Sequence, residues 1–331
     1  MISLIVGSAL IAVILVEALW TTLWVNGGGG PLSSWLAAGL WMALRKATSQ
    51  GRAWPLSVAG PVIIVVVVLS WVGLLWAGWT LVFAADPAAL SYRDSGEFPD
   101  WTGRIYFVGY TLFTLGIGNI VPARGAWEII TVVASGTGML FITLSISYMV
   151  SVLGAIVVGR AFANSVRGLG DDAEDAVRRA WEGERYTGLT LPLSTLTSQL
   201  ATITQQHLTY PILHFYRARD ADAAPTLAVA MLDEVLTVLR FGVPPSCRPP
   251  ATILEAARSS VQSYLEALKD AHVEPAERPP RPPALGRLRA MGLPTVSDDA
   301  FAEALAALAQ RRRTLLGMVE ADARTWPPEQ P

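Results

Sequence analysis

The 331-residue chain is 52% hydrophobic, has a mean hydropathy of +0.41 and carries a net charge of −2. A nearly neutral chain without a basic stripe argues against a nucleic-acid partner. Its single cysteine, Cys247, excludes a disulfide framework or a multi-cysteine metal site within one chain. Charged residues are sparse before Arg160 and frequent after Asp171, so the composition predicts a membrane half followed by a water-soluble half.

Residues 1–25 contain the first predicted element, an apolar run from Ile2 to Val25. A membrane-spanning helix needs roughly 20 such residues. The run has no basic start and no clear small-residue cleavage site, so we interpret it as a retained transmembrane helix and not as a signal peptide. Glu17 lies inside it. A carboxylate there either has a role in transport, lies near the interface, or is hydrogen-bonded to a neighbouring helix.

Residues 26–54 form a predicted linker that begins with the helix breaker NGGGGP. Ser33 or Ser34 is the predicted N-cap of the following segment, in which Leu36, Leu40 and Leu44 recur at helical spacing. The segment ends in basic residues, which is typical of an amphipathic helix lying on a membrane surface. A plain helical linker is the alternative.

Residues 55–160 form a predicted membrane domain, with an outer helix at about 58–84 and an inner helix at about 127–160. The segment between them, at about 101–122, is too short to cross a membrane twice and too apolar for an exposed loop. Non-helical backbone at membrane depth is tolerated only where protein or enclosed water satisfies its polar groups. We therefore predict a short helix that enters the membrane and a chain that returns to the same side.

Basic residues flank the two long helices of this domain. Arg45, Lys46 and Arg52 precede the outer helix, and Arg160 and Arg167 follow the inner helix. The positive-inside rule then places both regions in the cytoplasm. The prediction is a multi-pass protein of the cell membrane with an external N-terminus and a cytoplasmic C-terminal half.

The re-entrant segment contains the sequence TLGIGN, from Thr114 to Asn119. A cation pore needs carbonyl oxygens that replace the water around the ion. Successive carbonyls point the same way when alternate residues adopt positive φ, which glycine does at little steric cost. Gly116 and Gly118 have that spacing. The Thr114 hydroxyl is a further candidate ligand, and Asn119 is short and polar enough to hold the outer end by hydrogen bonds.

The stretch YFVGYTLFTLGIGNIVP resembles the potassium-channel pore family, whose filter reads T-x-G-[aromatic or aliphatic]-G-[D or N]. The resemblance implies that K⁺ ions bind in the filter, Thr114 to Asn119, at the carbonyls of Thr114, Leu115, Gly116 and Ile117. It also implies a homotetramer in the lipid bilayer, because one chain supplies one pore loop. No organic cofactor is inferred.

The inner helix carries the candidate gate. The family register places a hinge at Gly138, for which close packing is the alternative, and we interpret Gly136 and Gly154 as close-packing positions. Helical periodicity turns four apolar side chains toward the cavity: Met139, Ile142, Ile146 and Val150. The hydroxyl-bearing residues of the same helix either line the pore or bond to other helices: Thr137, Thr143, Ser145, Ser147 and Ser151.

Four positions depart from the family pattern. Ile117 stands where many relatives have tyrosine, and Tyr106 and Phe107 stand where many have a tryptophan pair. Tyr110 aligns with a position that often holds a buried glutamate. The departures predict that an aromatic cuff tied to the filter by hydrogen bonds is missing here, which makes filter rigidity the altered property.

Residues 161–331 form a predicted cytoplasmic helical domain with no assigned ligand. Its predicted helices are Leu193 to Arg219, Ala224 to Phe241, Thr252 to His272 and Asp298 to Ala323. The proline-rich segment 274–283 is predicted to be an extended spacer. The basic run Arg311 to Arg313 is predicted to be a solvated face or a helix-end cluster. No nucleotide-binding fingerprint, phosphate loop or Ser/His/Asp arrangement indicates an enzyme.

These features predict an all-α membrane protein with the architecture of a P-loop tetrameric cation channel and a helical C-terminal domain. The predicted function is passive, potassium-selective conduction. A poorly selective monovalent cation channel is one alternative. A membrane receptor or scaffold with a non-conducting pore domain is another.

Overall fold

The computed structural model describes residues 1–24, 28–47, 58–268, 274–322 and 324–326. These residues are mainly helical and form one small two-stranded sheet. Three helices are long and apolar enough to cross a membrane: Ile2–Leu23, Ala59–Phe83 and Ala126–Arg167. The all-α membrane class is thereby confirmed. The chain divides into two compact units, Met1–Leu153 and Gly154–Pro331, which are described in turn.

The first unit combines the long apolar helices with a short helix and a two-stranded ladder. In chain order its elements are α1 (Ile2–Leu23), α2 (Pro31–Ala47), α3 (Ala59–Phe83), β1 (Leu90–Tyr92), α4 (Trp101–Leu112), β2 (Ile120–Pro122) and the first part of α5 (Ala126–Arg167). Strands β1 and β2 are antiparallel, with Leu90 opposite Pro122 and Tyr92 opposite Ile120. The predicted inner helix is present and continues beyond residue 160 to Arg167.

Helix α1 packs closely on α3 through a pair of glycines. A Cβ atom on Gly7 would lie 2.7 Å from the Gly78 carbonyl oxygen, and one on Gly78 would lie 2.8 Å from Ile11 Cγ1. Small residues let membrane helices approach to backbone contact, where dispersion forces are strongest. The extra N-terminal helix is therefore an integral part of this unit.

Helix α2 begins at Pro31, so the predicted N-cap at Ser33 or Ser34 is wrong. Proline suits the first helical position because its fixed φ is helical and its missing N–H would have no intrahelical partner. Both serines lie in the first turn. The caps come instead from α1: the Gly30 N–H donates to Thr21 Oγ1 (2.9 Å) and the Ser33 N–H donates to Glu17 Oε1 (2.8 Å).

Several predicted boundaries lie outside the described residues. These are Val25 at the end of the first helix, Arg52 and the rest of 48–54 in the linker, residues 55–57 at the start of the pore domain, and the helix ends at His272 and Ala323.

The second unit is a helical bundle that starts within α5. Its further helices are α6 (Ala173–Arg179), α7 (Thr190–Thr209), α8 (Pro225–Thr237), α9 (Ala251–Ala267), α10 (Leu285–Ala290), α11 (Asp298–Ala307) and α12 (Ala309–Ala321). Helix α8 lies in the centre, since every residue from Ala228 to Thr237 is buried. Pro225 occupies its first turn, as predicted from its position before the apolar run.

The predicted helices of this unit are right in type but differ at their ends. Helix α7 stops at Thr209 because Pro211 disfavours helical backbone at Tyr210, which has φ −124° and ψ 79°. A π-helical turn carries α8 on to Gly242. The predicted helix from Asp298 is two helices, separated at Leu308. The short helices α6 and α10 were not predicted.

Two predictions for the end of the chain hold only in part: the basic run does stand at a helix end, at the start of α12, and the proline-rich segment is extended. Arg312 is 2% exposed, and its guanidinium binds Glu234 Oε1 on α8 at 2.9 Å, so the basic run is not a solvated face. The proline-rich segment has the predicted extended backbone but is not a free spacer. Arg312 donates to the carbonyl oxygens of Pro280 (3.3 Å) and Arg281 (2.7 Å), which hold the segment against α12.

Candidate functional site

The start of the pore helix α4 is tied to the end of α3. The side chain of Asp100 caps α4 by accepting a hydrogen bond from the Gly103 N–H at 2.8 Å. Arg104 is buried, and its guanidinium donates to the carbonyl oxygens of Phe83 and of Asp86, the latter at 3.2 Å. The Phe83 carbonyl ends α3 and has no helical partner of its own, so Arg104 satisfies it and fixes where α4 begins.

The middle of α4 packs on α3 through Trp76. The indole N–H of Trp76 donates to the Ile105 carbonyl oxygen at 2.8 Å. A Cβ atom on Gly109 would lie 2.5 Å from the Trp76 ring, so only glycine lets the ring lie against the helix backbone. The same indole meets Phe113 edge to face, with ring centroids 6.0 Å apart. These contacts fix the C-terminal end of α4, from which the filter starts.

In the candidate filter, Thr114 to Asn119, the backbone angle φ alternates in sign. Thr114, Gly116 and Gly118 have φ values of +55°, +64° and +75°, whereas Leu115, Ile117 and Asn119 are not among the positive-φ residues. The predicted positive φ at the two glycines is thus confirmed. Thr114 is the single non-glycine residue with positive φ among the described residues. Such strain is held only where the surrounding structure imposes it, and it clusters at functional positions.

The carbonyl oxygens of the candidate filter have no hydrogen-bond donor in the described part of the chain. Among the described residues, the carbonyl oxygens of Thr114, Leu115, Gly116 and Ile117 accept no hydrogen bond. They follow directly after α4, where the Leu115 N–H donates to the Tyr110 carbonyl at 2.8 Å. A helix carries partial negative charge at its C-terminus. Unpaired oxygens beyond a helix C-terminus favour a cation, which could replace the missing donors.

The outer end of the filter is held by the β1–β2 ladder and by a tyrosine. The Arg93 N–H donates to the Asn119 carbonyl at 3.0 Å. The buried hydroxyl of Tyr110 donates to the Ile120 carbonyl at 2.6 Å. Tyr110 thereby ties the pore helix to the residue that follows the filter, and the absence of an aromatic cuff between Tyr106, Phe107 and Ile117 stays a prediction. The Asn119 side chain forms no hydrogen bond with the described part of the chain, so its predicted holding role falls to its backbone.

The candidate hinge at Gly138 packs against the end of the pore helix. A Cβ atom on Gly138 would lie 2.2 Å from the Leu112 carbonyl oxygen and 2.7 Å from Leu112 Cα. The close approach explains the need for glycine, and hinge motion stays a prediction. A Cβ atom on Gly136 or on Gly154 would have no neighbour within 4 Å in the described chain. These two glycines are therefore not close-packing positions within the described part of one subunit.

The side chains predicted to line the cavity are mostly exposed to solvent in a single chain. Met139, Ile146 and Val150 are 62%, 59% and 64% exposed, and Ile142 is partly buried. Thr137 is an interhelical hydrogen-bonder, since its hydroxyl accepts from the Trp79 indole N–H at 2.9 Å. The other hydroxyl residues of α5 keep both predicted alternatives.

Glu17 lies away from the filter, in a polar cluster between three helices. Its Oε1 accepts hydrogen bonds from both the N–H and the hydroxyl of Ser33 on α2, each at 2.8 Å. The Trp71 indole on α3 donates to the same hydroxyl at 3.2 Å. The structure supports the interpretation that Glu17 is hydrogen-bonded to a neighbouring helix.

Comparison with known proteins agrees with this geometry. Residues 62–155 match the family model described as "Ion channel". The uncharacterized membrane protein YdjJ of Bacillus subtilis (strain 168) is 39% identical over 324 residues, which cover 98% of this chain and 95% of that protein. The chain belongs to the ion channel family. No solved structure matches this ion channel.

The two matches cover different parts of the channel. The family match runs from α3 through α4 and the filter into α5, and it excludes α1, α2 and most of the second unit. The Bacillus relative is similar over almost the whole length, so α1 and the C-terminal bundle belong to the shared architecture. Arg93 and Arg104, which hold the outer end of the filter and the start of α4, were not found by sequence reasoning. Neither arginine is part of a hydrophobic periodicity or of a recognised motif, so the local sequence does not indicate its role.

Proposed function

We propose that this channel conducts K⁺ passively and selectively through a pore formed by four identical subunits. The observation that carries the proposal is the run of alternating φ signs from Thr114 to Gly118, with carbonyl oxygens that accept no hydrogen bond within the described chain. Carbonyl rings of this kind replace the hydration shell of a cation. The K⁺ sites would use the carbonyls of Thr114, Leu115, Gly116 and Ile117, together with the Thr114 hydroxyl.

The exposure of the filter supports assembly into a homotetramer. Leu115 and Ile117 are 65% and 50% exposed in one chain. Irregular backbone is not stable against lipid and must lie against protein or enclosed water. Four copies around one axis would enclose the filter, with Gly138 at the gate and Met139, Ile142, Ile146 and Val150 facing the cavity. The proposal assigns the pore to residues 55–160 and a cytoplasmic helical domain to residues 161–331.

The proposed orientation has the N-terminus outside and the C-terminal bundle in the cytoplasm. Cys247, the one cysteine of the chain, lies in the bundle as a partly exposed free thiol and reports on this directly. A membrane-impermeant maleimide should label it in permeabilised cells and leave it unlabelled in intact cells. Labelling of intact cells would reverse the orientation.

The test of the proposed function is cation flux into liposomes that contain the purified protein. Wild type should carry K⁺ well above Na⁺. Gly116→Ala should abolish the flux, because alanine at φ +64° is strained by roughly 1–2 kcal/mol in a backbone that must keep its carbonyls aligned. Gly96→Ala is the matched control, since Gly96 has φ +71°, equally open surroundings and a position outside the filter.

Each result of the flux assay selects one interpretation. Flux of K⁺ that Gly116→Ala abolishes and Gly96→Ala preserves supports the proposal. Equal K⁺ and Na⁺ flux with the same response to the variants indicates a poorly selective cation channel. An absence of wild-type flux, or flux unchanged by Gly116→Ala, refutes conduction through the filter and favours a receptor or scaffold.

A further inference from the structure

One positively charged side chain lies beside the outer end of the filter. Arg93 follows β1, and its backbone N–H is fixed to the Asn119 carbonyl at 3.0 Å. Its guanidinium Nη2 lies 3.5 Å from the position that a Cβ atom on Gly118 would take. The side chain is exposed to solvent. The guanidinium therefore lies beside the backbone at the outer end of the candidate filter.

The charge of Arg93 is not neutralised by a neighbour. Among the described residues, no ion pair includes Arg93. Asp94 and Glu97 follow it in the same exposed loop, and neither approaches it within ion-pair distance. The loop is acidic in composition, yet the charge held next to the filter is positive. A loop that served only to attract cations would place a carboxylate there.

We propose that Arg93 limits the rate at which cations reach the filter from this side of the membrane. The inference rests on the proposed function, because it requires conduction through a four-fold assembly that brings four guanidiniums around one axis. Each positive charge at about 7 Å in water reduces the local concentration of a monovalent cation roughly three-fold. Four of them together reduce it about 50- to 80-fold without screening and roughly 20-fold when the Debye length is about 30 Å.

The proposed effect depends on charge and on ionic strength, and it leaves selectivity unchanged. The Debye length falls from about 30 Å at 10 mM salt to about 3 Å at 1 M. Repulsion at about 7 Å is therefore strong in the first condition and nearly absent in the second. The filter backbone does not change when the side chain is replaced, because the bond to Asn119 comes from the main chain of residue 93.

The experiment is single-channel recording of the full-length protein in planar bilayers, in symmetrical KCl at 10 mM and at 1 M. The variants are Arg93→Lys, Arg93→Gln and Arg93→Glu. For cations that enter the pore from the side on which Arg93 lies, Arg93→Gln should raise the conductance roughly 20-fold at 10 mM and less than about two-fold at 1 M. Arg93→Glu should raise it further, and Arg93→Lys should match wild type. The K⁺ to Na⁺ permeability ratio should stay constant in all of them.

Arg124→Gln is the matched control, because Arg124 is an exposed arginine just beyond β2 and lies outside the contacts of the filter. An equal gain in Arg124→Gln would assign the effect to general surface charge and overturn the role of Arg93. A gain in Arg93→Gln that persists at 1 M salt, or that shifts the permeability ratio, would show a structural role and also overturn it. Wild-type protein that carries no current refutes the proposed function itself. If wild type conducts and every Arg93 variant has the same conductance as wild type, only this inference is refuted.

Discussion

Replacing Tyr110 by phenylalanine removes one oxygen atom from the support of the filter and little else. The Tyr110 hydroxyl donates to the Ile120 carbonyl at 2.6 Å, and the two residues are 6% and 2% exposed. The ring stays packed edge to face between Phe107 and Tyr106, with centroids 5.3 and 5.2 Å away. The change therefore isolates the hydrogen bond between the pore helix and the residue that follows the filter.

The expected cost follows from the buried carbonyl that loses its donor. Leaving a buried acceptor unpaired costs about 1–3 kcal/mol. Each 1.4 kcal/mol is a ten-fold change in an equilibrium constant. The ratio of channels with an ordered outer filter end to channels with a disordered one should therefore fall roughly 5- to 150-fold. We expect a lower open probability at unchanged single-channel conductance, because the ion still passes the same carbonyls whenever the filter is ordered.

The assay is single-channel recording in K⁺, with Tyr106→Phe as the matched control. Tyr106 is the neighbouring tyrosine on α4, and its hydroxyl forms no hydrogen bond within the described chain. Tyr106→Phe should behave as wild type. An open probability of Tyr110→Phe that equals that of wild type and of Tyr106→Phe would refute the reasoning, since the Tyr110 bond would then contribute nothing to filter order.

Two further predictions concern buried carboxylates. Glu17→Ala leaves the N–H and hydroxyl of Ser33 without their acceptor, so we expect faster hydrogen exchange at the start of α2 and a lower melting temperature in detergent, with a smaller loss for Glu17→Gln. Burial raises the pKa of Glu234 to about 7 from an ordinary 4.5, although Arg312 lowers it, and Asp233 and Glu174 add to the rise. The folded bundle then keeps a proton that the unfolded chain releases, so the contribution of Glu234 to stability is complete below about pH 4.5 and is lost as the pH rises through about 7. The melting temperature of wild type relative to Glu234→Gln should fall across that window, and a constant difference would contradict the raised pKa.

The filter could be predicted from sequence because its geometry is set locally. The spacing of the glycines indicates which residues adopt positive φ, because glycine does so at little steric cost. At membrane depth, few backbone conformations are compatible with two glycines separated by one residue. The long helices were predictable for a similar reason, since apolar runs of sufficient length have to satisfy their own backbone groups. Thr114 shows the limit of this logic. No propensity favours threonine at φ +55°, and the surrounding contacts impose that conformation.

The contacts that support the filter could not be predicted, because they depend on how far a side chain extends in the folded structure. Tyr110 aligns with a position where relatives often hold a glutamate, and sequence spacing cannot show that a phenol oxygen meets a carbonyl ten residues further on. The aromatic cuff that the pattern showed to be missing is replaced by one tyrosine and a short strand ladder. The observed contacts that support the candidate filter thus lie at its outer end, where Arg93 also stands.

The buried arginine of α12 shows why the proline-rich segment could not be interpreted from its composition. Prolines give an extended backbone without donors, so its carbonyl oxygens need partners wherever the segment is buried. Arg312 supplies them at Pro280 and Arg281, and the same guanidinium binds Glu234, which lies 78 residues away in sequence. Five N–H donors in one planar group permit this, which a lysine could not reproduce. The segment is thus fixed to the bundle by a residue whose local surroundings in the sequence, three consecutive arginines, indicate a solvated surface.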